Sequence, residues 1–170
     1  MYDTLTSTLC VDRNRVFASG NSSGGTLANE LGCKYAGDAL RPIRGIMPNT
    51  GGLTTDPKFT PTCTTKPIAG MWMGETGDST QPWSGSIVAI NRAIMVNGCS
   101  GGSWGTTPTA NYAVGGGVAD TLCQRITGCP ALYPLVVCAI PGNQHASHDT
   151  IANPGFSTFI KLFGAAPLLN

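Results

Sequence analysis

The sequence predicts an α/β domain whose core is a mostly parallel sheet with flanking helices, and three observations carry that prediction. Short apolar runs of strand length recur along the chain, separated by stretches with helical spacing. These runs are apolar throughout rather than alternating, the pattern of strands covered on both faces. A glycine-framed serine turn, Gly20-Asn21-Ser22-Ser23-Gly24, joins one run to a helix.

In chain order, Thr4–Leu9 reads as the end of a helix and Asp12 to Arg15 as a polar turn. Arg15–Ser19 is the first strand, and Thr26–Tyr35 is the helix after the serine turn. Ile43–Met47 is a second strand, ended by Pro48-Asn49-Thr50-Gly51-Gly52, and Pro67–Met73 is a third. Ser86–Asn97 carries Ile87, Ile90, Ile94 and Met95 at helical spacing. Cys99–Gly117 is rich in Gly, Ser and Thr and reads as a surface excursion. Leu122–Thr127 and Leu135–Ile140 complete the strands, and Phe156–Phe163 is a closing helix. No internal repeat or linker divides the 170 residues, which suit one domain.

Composition narrows the function classes. Net charge is +1, charged residues make up 11% of the chain, and no basic run occurs, which argues against nucleic acid and against an anionic membrane surface. No stretch approaches the roughly 20 apolar residues of a membrane span. Seven cysteines without a CxxC, beside only two histidines, argue for disulfides in an oxidising, extracellular compartment rather than for a metal site. Seven is odd, so one thiol lacks a partner in this chain.

The serine turn matches G-x-S-x-G in the context that pattern needs, between a strand and a helix. A serine there is held in strained backbone geometry, with glycines allowing close chain packing. Its hydroxyl stands above a helix N-terminus, where the Ser23 N–H can donate to an oxyanion. Ser22 is therefore the candidate nucleophile. Ser23 is a poor rival, because Asn21 rather than Gly stands two residues before it.

Cys10-Val11-Asp12-Arg13-Asn14-Arg15-Val16-Phe17-Ala18-Ser19-Gly20-Asn21-Ser22-Ser23-Gly24-Gly25 resembles the C-V-D-x-x-R-V-[YF]-x-x-G-x-S-x-G-G signature of the polyhydroxybutyrate depolymerase/feruloyl esterase family of α/β-hydrolases, to which acetylxylan esterases are close. The later features fall in the family's order, so the resemblance covers nearly the whole chain. It implies a secreted serine carboxylic-ester hydrolase with a Ser-acid-His order and no cofactor or metal. Its substrates would be plant cell-wall phenolic or acetyl esters, hydroxyalkanoate polymers or synthetic aromatic polyesters.

Asp78-Ser79-Thr80-Gln81-Pro82-Trp83 resembles the second half of the family's G-T-x-D-x-x-x-P-[YW] acid loop and marks Asp78 as the acid. Met73 stands where relatives often have His, and the loop is one residue longer, so Glu75 remains a second candidate. Pro141-Gly142-Asn143-Gln144-His145 is similar to the family's P-G-x-G-H loop and marks His145 as the base, ahead of His148 and its neighbour Asp149. Trp72, Trp83 and Trp104 are candidates for aromatic substrate contact, and only Trp83 has a positional argument, beside the acid loop.

Family members often carry cysteines at the places of Cys10 and Cys33. A Cys10–Cys33 bridge around Ser22 would be worth about 3 kcal/mol. Cys99, Cys123, Cys129 and Cys138 would form two further bridges of open connectivity, leaving Cys63 over. Relatives also carry strands before the C-V-D motif and a loop donating a second oxyanion N–H. The expectation is thus a partial α/β-hydrolase-like sheet, its N-terminal strands missing and its nucleophile strand at an edge. A fragment, a complementing N-terminal half or homo-oligomer, and a natural minimal form are the three explanations. The abrupt start within a helix favours the first. The alternative to an esterase is a non-catalytic hydrolase half that binds a partner through its open edge.

Overall fold

Strand β1 (Phe17–Asn21) leads straight into helix α2 (Ser23–Tyr35), and the rest of the described chain is built around that junction. The computed structural model describes residues 2–53, 63–105 and 123–145. A short helix α1 (Tyr2–Thr8) and a 3-10 turn (Arg13–Arg15) precede β1. After α2 come β2 (Gly45–Asn49), β3 (Ala69–Glu75), α3 (Trp83–Asn97), β4 (Cys123–Arg125) and β5 (Leu135–Ile140). The architecture is α/β: an open five-stranded sheet in the order β1-β2-β3-β5-β4. Four strands run parallel, and β4 runs antiparallel to β5. The sheet is thus mostly parallel, as the sequence predicts, with the short β4 as its antiparallel edge. The predicted closing helix 156–163 lies outside the described residues, as do Leu122, His148 and Asp149.

Both longer helices form because their buried positions repeat at helical spacing. In α2 these are Gly25, Ala28, Asn29, Gly32 and Cys33; in α3, Trp83, Ser86, Ala89, Ile90, Ala93, Ile94 and Asn97. Gly98, at φ 66°, ends α3 in the left-handed conformation that glycine adopts freely. Small residues let α2 lie close on the sheet: a Cβ at Gly32 would stand 2.7 Å from Ile46. Asn29 then bridges the layers, accepting the Trp72 indole N–H at 2.8 Å and donating to the Gly51 carbonyl at 2.8 Å. In α3, Asn97 pairs with both backbone groups of Ile68, fixing the entry to β3. β3 and β5 are buried at every position, and apart from Glu75 at the end of β3 both are apolar throughout.

Three disulfides join Cys33–Cys63, Cys99–Cys129 and Cys123–Cys138, an arrangement that belongs to an oxidising compartment. The expected Cys10–Cys33 bridge is not formed. Cys33 is 4% exposed on the inner side of α2, where its carbonyl accepts the Thr64 N–H and brings Cys63 alongside. Cys10 is exposed beyond the edge strand as the free thiol, so Cys63 is not the odd cysteine. Among the described residues, no helix is long and apolar enough to cross a membrane.

Candidate active site

The C-terminal ends of β1, β3 and β5 bring three separated side chains together. Ser22 occupies the single residue between β1 and α2 at φ 55°, ψ −120°, a strained conformation for a residue with a side chain. The sequence folds that way because the chain passes within touching distance of itself. A Cβ on Gly20 would lie 2.5 Å from the Gly24 carbonyl group, and one on Gly25 would lie 2.6 Å from the Asn49 oxygen. Gly24 itself has open space around it. The turn is also tied to the next strand: the Ser22 N–H is shared between the Asn49 carbonyl at 3.0 Å and the Thr50 hydroxyl at 3.3 Å. That hydroxyl donates to Asn21 Oδ1 at 2.8 Å. Thr50 is itself at positive φ (45°) and 2% exposed.

His145 Nε2 stands 2.7 Å from Ser22 Oγ, and its Nδ1 stands 2.6 Å from Asp78 Oδ2. Asp78 is almost wholly enclosed, with 1% of its side chain exposed. Burial is the largest single influence on its carboxyl and favours the neutral form. Hydrogen bonds from the Gln81 N–H, the His145 ring and the Thr80 N–H together outweigh it, and the pKa falls below its ordinary 3.8. Asp78 is therefore a carboxylate at neutral pH and can only accept. Nδ1 then carries the ring proton, leaving Nε2 to accept from the Ser22 hydroxyl.

The acid and histidine loops are joined to each other. Thr76 N–H donates to the Ile140 carbonyl at 2.9 Å, and Gly77 N–H to the Gly142 carbonyl at 2.8 Å. Glu75, the second acid candidate, is 5% exposed, and it is Asp78 that pairs with His145 Nδ1. Glu75 Oε2 accepts the Gln144 N–H at 2.5 Å. Sequence reasoning did not foresee this tie or the Thr50–Asn21 support. Both are contacts between loops far apart in the chain, and only the spare carboxylate in the acid loop hinted at the first.

Ser23 opens α2, where first-turn N–H groups have no intrahelical acceptor. Beside the elbow lies a cavity of about 420 Å3 bordered by Thr26, Gly52, Leu53, Gln81, Pro82 and Val88, a volume in the range of small-molecule sites. Trp83 does not face it as a substrate contact. At 8% exposure it is a core residue whose ring lies so close on Gly74 that a Cβ there would stand only 3.1 Å from it. Trp72 and Trp104 are likewise buried, at 1% and 7%. No cluster of His, Cys, Asp and Glu suited to a metal ion occurs among the described residues. No protein-family model matches the chain, and no curated protein matches it.

Proposed function

We propose that the chain is a serine carboxylic-ester hydrolase working through an acyl-enzyme. The observation that carries this reading is the unbroken relay Asp78–His145–Ser22, at 2.6 and 2.7 Å, ending on a serine in strained positive-φ geometry at a helix N-terminus. Ser22 Oγ attacks the ester carbonyl while His145 Nε2 takes its proton and returns it to the leaving alcohol. Asp78 holds the imidazole in the required tautomer and balances the imidazolium. The Ser23 N–H supports the oxyanion. Water then repeats the sequence to release the acid.

The disulfides and the serine-turn signature support a secreted esterase of cell-wall phenolic or acetyl esters or of polyesters, with the cavity at Thr26 and Gln81 receiving part of the substrate. The test is hydrolysis of p-nitrophenyl butyrate and labelling by a fluorophosphonate probe. Ser22→Ala should abolish labelling and lower kcat by about 10^4- to 10^6-fold. Labelling that survives Ser22→Ala overturns the assignment, and a folded wild type without either activity favours a binding module instead.

A further inference from the structure

We propose that a small oxyanion, a carboxylate or phosphate group, binds in the cavity over Arg44 at the N-terminal ends of the parallel strands. Arg44 immediately precedes β2, whose other end supports Ser22, so this cavity lies at the opposite end of the strands from the candidate active site. The proposal is independent of the esterase reading.

Arg44 is 5% exposed, and both terminal guanidinium nitrogens are buried without a hydrogen-bond partner. One face of the guanidinium lies on the Tyr133 ring, 5.1 Å from its centroid. That contact offsets part of the charge but gives the N–H groups no acceptor. Among the described residues no carboxylate pairs with Arg44. Burial pulls its pKa down, and Tyr133 only partly opposes this. A buried, uncompensated cation with idle donors is strongly unfavourable, so the site calls for a counter-charge that accepts hydrogen bonds.

The cavity beside it measures about 80 Å3 and is lined by Asn14, Gly37, Ile43, Arg44, Lys66 and Tyr133. One water needs roughly 10–15 Å3 on the same kind of measure, so there is room for an oxyanion head group but not for a nucleoside. Water filling the space would bring no counter-charge to the guanidinium. Lys66, an exposed residue, borders the cavity and brings a second positive charge to its rim. Gly37 sits at φ 61°, and a Cβ there would come within 2.9 Å of the Lys66 stem. A buried guanidinium and a lysine bordering one small cavity suit the two or three oxygens of a carboxylate or phosphate.

Thermal unfolding of the intact, disulfide-bonded chain in zwitterionic buffer tests this, with inorganic phosphate and acetate titrated separately against sodium chloride of equal ionic strength. Phosphate or acetate should raise Tm saturably above the chloride control, by several degrees near 100-fold Kd. The arm that saturates at lower concentration identifies the preferred head group. Arg44→Met should lose the response while melting no lower than wild type without anion, because the unpaired charge is gone. Lys66→Met, at an exposed position, should weaken the apparent affinity about tenfold, and it carries the test if Arg44→Met does not fold. A response equal to that of chloride, or one undiminished in both variants, overturns the proposal.

Discussion

Glu75 and Gln144 meet at 2.5 Å, the carboxylate at the end of β3 accepting the backbone N–H one residue before His145. Gly142 makes room for this, since a Cβ there would strike the Glu75 carboxylate at 2.4 Å. Glu75 is thus a positioning residue that holds the histidine loop. Glu75→Ala should lower kcat for p-nitrophenyl butyrate by about 10- to 100-fold with little change in KM, because a displaced base affects the chemical step. Glu75→Gln keeps an acceptor and should recover most of the activity. Equal losses in the two variants would show that the charge matters rather than the hydrogen bond.

The three glycines of the serine turn should not behave alike. Gly20→Ala and Gly25→Ala force a Cβ against backbone atoms at 2.5 and 2.6 Å, and each should cost about 1–3 kcal/mol in urea unfolding. Gly24→Ala meets open space inside a helix and should be neutral or stabilising by up to about 1 kcal/mol. Destabilisation by Gly24→Ala matching that of Gly20→Ala would contradict the packing described.

The lowered pKa of Asp78 makes a pH prediction with a definite sign. A carboxyl whose pKa is lower in the folded than in the unfolded chain adds stability that is complete above the unfolded value, near 3.8, and is lost as pH falls through the folded value. The stability advantage of wild type over Asp78→Asn should therefore persist from pH 7 to about 4 and shrink only below that. Denaturation midpoints measured across this range check it, and a gap already closing near pH 6 would refute the assignment. Asp78→Asn should also reduce kcat by about 10^4-fold at neutral pH.

The cysteine pairing predicts one free thiol. Thiol titration of the unfolded, unreduced protein should count one reactive group, and Cys10→Ser should remove it with a stability change within about 0.5 kcal/mol. Cys63→Ser should cost about 3–4 kcal/mol, the loop-closure value for a bridge of 30-residue separation, and should expose a second thiol at Cys33.

Local patterns made much of the fold readable. Leu135–Ile140 reads as a strand from its unbroken apolar run and has those bounds, and the strand–Ser22–helix junction is legible from five residues. Boundaries moved where local signals were weak. α2 starts at Ser23 rather than Thr26 because the strained turn lets the helix begin at once, and α3 starts at Trp83, directly after Pro82. Contacts between distant residues were illegible. Nothing local to Cys33 says that Cys63 rather than Cys10 lies beside it, and nothing in the acid loop says that Glu75 faces Gln144 while Asp78 faces His145. The burial of the Trp83 indole in the core was illegible for the same reason: nearness in sequence to an acid loop does not decide which way an indole points.

Because β3 and β5 are neighbours and their loops are cross-bonded through Thr76, Gly77 and Glu75, Asp78 and His145 ride on one stiff platform. Ser22 stands on another, separated from it by β2. The imidazole–carboxylate distance is set within one pair of cross-bonded loops, whereas the serine–imidazole distance spans β1 to β5 across the sheet.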